Sequence, residues 1–238
     1  MIKRLRTAWV LVHLVVATLI FAILILLTAP LDRSKRFIGW WPRLWSRWIL
    51  WSTGLEITYR GVEQLQSGQK YIYMSNHTSA LDIALAFSVL PGTVVFLAKK
   101  ELFRIVFFGW AMWALGCIPV DRLNRAGARQ AVDRALRDLE TKRLSLLIFP
   151  EGTRTRDGRL LPFKKGGFLL ALRSGLPVVP MAIQGALEAV PPGAMSLTHT
   201  PVRLTIGAPI ATDSLTDDDR DDLLQRTYHS IHTLFAQT

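Results

Sequence analysis

Residues 71–90 read Tyr-Ile-Tyr-Met-Ser-Asn-His-Thr-Ser-Ala-Leu-Asp-Ile-Ala-Leu-Ala-Phe-Ser-Val-Leu. Tyr71–Ser75 is a short aromatic and apolar run, which predicts a strand, and Leu81–Leu90 carries the apolar pattern of a helix. A polar turn, Asn76-His77-Thr78-Ser79-Ala80, joins them. A strand leaving into a polar turn and then a helix is the unit from which α/β sheets are built, and such turns collect at one rim of the sheet.

The same alternation extends outward in both directions. Further strands are expected at Leu55–Arg60, Val94–Ala98, Cys117–Val120, Leu144–Phe149, Val178–Ile183 and Val202–Ile206. Helical patterns fall at Glu101–Leu115, Ala126–Thr141, Gly167–Ser174 and Asp217–Phe235. The expected fold class is α/β, with a mainly parallel sheet flanked by helices. Short loops punctuated by Gly and Pro make residues 55–238 one domain.

Three polar clusters sit where strands end. In the first, His77 lies in the turn and Asp82 in the first turn of the following helix. A carboxylate bonded to one ring nitrogen fixes the imidazole tautomer and frees the other nitrogen as a base. The plainer role for Asp82 is a capping box with Ser79. In the second, Phe149-Pro150-Glu151-Gly152-Thr153-Arg154, a buried strand exits into a carboxylate, a permissive glycine and an arginine. Arg154 offers a planar donor fork suited to phosphate. Glu151 would repel a phosphate, so it is expected to orient an arginine or bind a hydroxyl. In the third, Gly116-Cys117-Ile118-Pro119-Val120-Asp121-Arg122, another strand delivers Arg122 to the same rim.

Composition narrows the partners. The 238 residues hold 29 Lys+Arg against 18 Asp+Glu, a net charge of +11 with 50% hydrophobic residues. One cysteine, Cys117, excludes a disulfide scaffold and a Cys-rich metal site, and the apolar content excludes a disordered chain. The charge is not spread as a nucleic-acid binder needs: residues 1–51 carry +7 and the rest +4. Ala8–Ala29 is an uncharged run of 22 residues whose clearly polar members are His13, Thr18 and Thr28. As a helix it measures about 33 Å, enough to cross a hydrocarbon core, and it reads as a retained membrane segment rather than a cleaved leader. Pro30 and Asp32 predict a turn that can bring the chain back to the same face. On a helical wheel Trp40, Trp41, Trp45, Trp48 and Trp51 share one arc with Arg43 and Arg47 flanking it, which predicts an interfacial helix. Residues 1–54 are therefore expected to be a two-helix membrane element.

The ordered motifs Asn-His-x4-Asp at 76–82, Gly-x-x-Pro-Val-Asp-Arg at 116–122 and Phe-Pro-Glu-Gly-Thr-Arg at 149–154 resemble those of the glycerolipid acyltransferase family typified by 1-acyl-glycerol-3-phosphate acyltransferase. Leu176-Pro177-Val178-Val179-Pro180 is similar to its last motif, and Lys99-Lys100-Glu101-Leu102 and Phe163-Lys164-Lys165-Gly166 to its connecting segments. Pro119 stands where many members carry an aromatic residue. The resemblance covers roughly Leu55–Pro209. It implies a metal-independent acyltransferase that uses acyl-CoA or acyl carrier protein as co-substrate, with no cofactor. His77 would be the general base, oriented by Asp82. Arg122, Glu151, Gly152, Thr153, Arg154 and Lys100 would bind substrate. The implied partners are a lysolipid acceptor and the bilayer, without nucleic acid, and the catalytic face would lie on the cytoplasmic side of the inner or another membrane. His13, His199, His229 and His232 are assigned structural or solvated roles.

Overall fold

The computed structural model describes residues 2–121, 125–193 and 196–236. Seven strands form one sheet: β1 (Ile57–Arg60), β2 (Ile72–Ser75), β3 (Thr93–Lys99), β4 (Ile118–Val120), β5 (Leu144–Ile148), β6 (Val178–Gln184) and β7 (Val202–Ile206). Each lies within two residues of the position its apolar pattern predicts. The order is β1-β7-β6-β2-β5-β3-β4, and every neighbouring pair is parallel except β6 and β7. The central strands β2 and β5 are buried throughout, as strands covered on both faces must be.

Helices α3 (Leu81–Val89), α4 (Phe108–Leu115), α5 (Arg125–Thr141), α6 (Gly166–Ser174), α7 (Ala186–Ala189) and α8 (Arg220–Ala236) lie among the strands or follow them. The chain leaves β2 through α3 toward β3, but leaves β5 through α6 toward β6, on the opposite side of β2. The adjacent strands β2 and β5 therefore send their connections in opposite directions. Such a switch point opens a crevice at the carboxyl ends of the strands, and the turns after β2 and β5 flank it.

One expected helix, Glu101–Leu115, is broken. A tight turn at Lys100–Arg104 gives way to an irregular corner at Ile105–Phe107 before α4 begins. Phe107 has φ +62, and Gly109 lies so close to Phe103 O that a Cβ would sit 2.3 Å from it. Continuous helical spacing hid this corner, because the apolar residues Ile105, Val106 and Phe107 are exposed at the bend rather than packed.

The amino-terminal residues form α1 (Ile2–Thr28) and α2 (Trp40–Thr53), and the turn between them is where Pro30 and Asp32 predict it. Asp32 holds that turn by accepting the backbone N–H groups of Arg36, Phe37 and Ile38 at 3.0, 2.6 and 2.7 Å. Within α1, Leu5 onward is long and apolar enough to cross a membrane, with a mean hydropathy of 3.1 over its most apolar stretch. The five tryptophans of α2 do not share one environment, as the wheel predicted. Trp41, Trp45 and Trp48 pack on α1, and their indole N–H groups donate to Thr28 Oγ1, Thr18 Oγ1 and His13 Nδ1 at 2.9, 3.1 and 2.8 Å. Only Trp40 and Trp51 are turned outward, 56% and 67% exposed. All three polar side chains of the uncharged run thus accept an indole hydrogen bond, and the pattern makes α1 and α2 antiparallel. Residues from both helices, including Ala22, Ile25 and Leu50, join the same core as the sheet.

Candidate active site

The site is built at the crevice between the turns after β2 and β5. Asn76 fixes the first turn. Its Nδ2 donates to Ile183 O at 2.9 Å and its Oδ1 accepts Ile183 N–H at 2.7 Å, so the side chain extends the β2–β6 ladder past the strand's end. His77 follows, its ring stacked on Phe149 with centroids 4.0 Å apart and planes 16° from parallel. His77 Nδ1 lies 2.8 Å from Asp82 Oδ2. The same carboxylate oxygen accepts the backbone N–H groups of Thr78 and Ser79 at 2.7 and 2.9 Å. Asp82 thus holds the imidazole and ties the turn before α3, but the capping box with Ser79 does not form: the cap position is Ala80, and Ser79 Oγ instead accepts Leu81 N–H and donates to Val190 O. An ionised carboxylate only accepts, so Nδ1 carries the proton and Nε2 presents its lone pair. Asp82 is fully buried, whereas the His77 side chain keeps 14% exposure.

Glu151 comes from the turn after β5, and its two bonds join that loop to the turn after β2. Oε1 accepts His77 N–H at 2.7 Å and Oε2 accepts Leu161 N–H at 2.9 Å. Thr155 N–H returns the link by donating to His77 O at 2.9 Å. Glu151 is 3% exposed, and burial raises its carboxyl above its ordinary value while the two backbone N–H groups draw it partly back. The expected partner, an arginine or a hydroxyl, is replaced by main chain because the parallel pairing of β2 and β5 sets Glu151 beneath the His77 backbone.

The other expected residues are less tightly held. Gly152 has φ +71, a conformation that suits glycine, and Lys164 folds over it. Thr153 and Arg154 are exposed, and Arg154 forms no ion pair among the described residues. Lys100 is paired with Asp121 at 2.5 Å, at the mouth of β4. Arg122 lies outside the described residues.

Sequence reasoning overlooked three contributors: Phe149 as the ring under His77, Asn76 as the clamp on β6, and Lys164 over Gly152. All three lay inside quoted segments, but their partners are distant in sequence. A cavity of about 360 Å³ runs from Ala80, three residues beyond His77, between α1, α3 and α4. Its lining is almost wholly apolar and includes Phe21, Ile83, Phe87, Met112 and Cys117. The Cys117 thiol is buried there, and burial pushes it up to about 12. This arrangement offers an imidazole fixed by a buried carboxylate, in the turn whose Ala80 lines the apolar cavity, beside a turn with an exposed guanidinium.

The acyltransferase family model matches residues 56–184. The 1-acyl-sn-glycerol-3-phosphate acyltransferase of Limnanthes douglasii is 40% identical over 189 residues, which are 79% of this chain and 65% of that protein. The human 1-acyl-sn-glycerol-3-phosphate acyltransferase alpha is 33% identical over 184 residues, covering 77% of this chain and 65% of its own. The Cocos nucifera protein of that name is 32% identical over 232 residues, 97% of this chain and 73% of its own. The chain therefore matches 65% of the length of the first of these relatives. The crystal structure of the 1-acyl-sn-glycerophosphate (LPA) acyltransferase PlsC from Thermotoga maritima shares the fold, with a TM-score of 0.82 at 23% identity over 99% of this chain and 97% of that one.

Proposed function

Because this chain belongs to the acyltransferase family, we propose that it moves a fatty acyl group from acyl-CoA or acyl carrier protein to the free hydroxyl of 1-acyl-glycerol-3-phosphate, making phosphatidic acid. The observation that carries this reading is the His77–Asp82 pair, held in the turn whose Ala80 lines the apolar cavity.

In this mechanism His77 Nε2 takes the proton of the acceptor hydroxyl as its oxygen attacks the thioester carbonyl. Asp82 stabilises the imidazolium. The tetrahedral intermediate then expels the thiolate, the C–S bond breaking as the new C–O bond is kept. The imidazolium returns its proton to sulfur, whose thiol has a pKa of about 8.5 and so needs little acid assistance. Glu151 is a positioning residue that holds the His77 backbone. Arg154, with Arg122 and Lys164, receives the acceptor's phosphate, and the acyl chain occupies the cavity. Lys100, already neutralised by Asp121, contributes to the field at the rim rather than a free donor.

The acceptor lives in a bilayer and the donor in water, so the enzyme works at a membrane surface. The exposed apolar rows of α1 and α2, together with Ile105, Val106, Phe107 and Trp110, supply the contact. Acyl-CoA and acyl carrier protein are cytosolic donors, which favours a catalytic face on the cytoplasmic side.

The test is acceptor-dependent thiol release from acyl-CoA by the full chain in lipid nanodiscs, repeated with acyl carrier protein as donor. Preference for lysophosphatidic acid over uncharged and zwitterionic lysolipids is expected. Release at the same rate without any acceptor would make the protein a thioesterase instead.

A further inference from the structure

A separate cleft of about 440 Å³ opens beside α2, where that helix meets the turn between α3 and β3. Arg36, Trp40, Arg43 and Arg47 line it, with Ser67 and Gly92 opposite. The His77–Asp82 pair sits at the amino end of α3 and this cleft beyond its carboxyl end, so the nine residues of α3 separate them by about 13 Å.

The arginines are held in place without being neutralised. Arg43 is half-buried and donates from Nη2 to Leu90 O at 2.7 Å and Gly92 O at 3.1 Å. Its guanidinium also lies over the Trp40 ring, 5.5 Å from the centroid. Arg47 leans toward Ser88 O at 3.4 Å, and Arg36 stacks over Phe37 at 5.2 Å. No carboxylate pairs with any of the three among the described residues. Burial and the Arg47 charge both disfavour the charged form of Arg43. Three guanidinium groups around a hollow, with no carboxylate paired to them among the described residues, favour an anion that accepts several hydrogen bonds at once.

The surroundings select the kind of anion. Phe37, Trp40, Leu44 and Trp51 are exposed beside the arginines, and α1 continues this apolar surface on the other flank of α2. Passing from α1 across α2 to the cleft, the surface runs from aliphatic through tryptophan to arginine. That is the order met when moving from hydrocarbon to headgroup.

We propose that this cleft binds the headgroup phosphate of an anionic membrane lipid, at a site distinct from the catalytic crevice. It rests on the membrane association proposed above. An occupied cleft would fix the tilt of α2 on the bilayer and so hold the catalytic rim at headgroup depth.

The experiment measures binding of the full chain to vesicles of phosphatidylcholine alone and of phosphatidylcholine with added phosphatidic acid. Arg36→Gln/Arg47→Gln is expected to lower affinity for the anionic vesicles about tenfold, the loss of roughly one charge-assisted contact, while binding to phosphatidylcholine is unchanged. Arg60→Gln/Arg137→Gln removes the same charge from exposed positions outside the cleft and is expected to cost no more than about twofold. Equal losses in the two double variants would show that net charge alone drives binding and would overturn the site. Displacement by glycerol phosphate as effective as by vesicles would overturn the lipid as its ligand. If wild type binds no vesicles at all, the membrane reading fails with it. Melting temperatures of both variants verify folding, and Arg43 is left intact because its carbonyl contacts hold the α3–β3 turn.

Discussion

The turn after β2 and the turn after β5 lie on neighbouring strands, yet the first spends its polar groups inward and the second leaves most of its own to solvent. Asn76, Ser79 and Asp82 are all bonded within the fold, and His77 is gripped by Asp82 at its ring and by Glu151 at its backbone. Across the crevice Thr153 and Arg154 are exposed, and Arg154 forms no ion pair among the described residues. The difference separates two demands. On the proposed function, a base must be oriented before substrate arrives, whereas a phosphate receptor must keep unspent hydrogen-bond donors.

The comparison breaks most severely at His77. His77→Ala is expected to lower kcat by roughly 10²–10⁴ or more, measured as thiol release at saturating donor and acceptor. Wild-type turnover in this variant would sink the mechanism. Glu151→Gln comes next, because a carboxamide has one acceptor where the carboxylate serves two N–H groups. Its kcat should fall about 10–10²-fold with little change in acceptor KM, the mark of a displaced base rather than a lost contact. A rise in KM alone would instead make Glu151 a substrate ligand. The same residue has a signature in stability. Its folded carboxyl is raised by burial, so the unfolded state releases its proton first. Relative to Glu151→Gln, wild type should therefore lose stability as pH climbs above the ordinary value of 4.5, and chemical denaturation of both proteins across that range checks the sign.

The open turn should respond in the opposite sense. Arg154→Lys keeps the charge but loses the fork, and its acceptor KM should rise roughly tenfold while kcat stays within about twofold. A kcat loss larger than the KM rise would place Arg154 on the reacting group and erase the contrast. The smallest effect belongs to the amino-terminal helices. Replacing Trp45 by Phe removes one indole donor from Thr18, and denaturant unfolding should register about 1 kcal/mol. Within the cavity, Cys117 should resist thiol reagents at neutral pH in the native protein and react once unfolded.

Much of this could be read from local spacing. His77 and Asp82 are five residues apart across one turn, so a strand followed by a helix is enough to bring them together. The seven strands are short apolar runs bounded by Gly, Pro or polar turns, and tertiary packing does not alter that period. Glu151 was misread because its sequence neighbours, Gly152, Thr153 and Arg154, advertise phosphate chemistry. Its partners are Leu161, ten residues on in the same loop, and His77, which only the pairing of β2 with β5 delivers. The tryptophans failed for a similar reason. A wheel shows which residues share a face, but whether that face meets lipid or another helix depends on the neighbour. His13, Thr18 and Thr28 were noted as the polar exceptions in α1, and their spacing proved to match the indoles of a helix running the other way.

The sequence by itself determined the strand–helix alternation, the His77–Asp82 contact, and the apolar amino-terminal helix, because each depends on residues within a few positions of one another. Only the tertiary structure decided which carboxylate supports the base from behind, where the chain bends before α4, and which arginines surround a cleft instead of a phosphate-binding rim. Those outcomes depend on strand order and helix packing, which join residues tens of positions apart and leave no periodic trace along the chain.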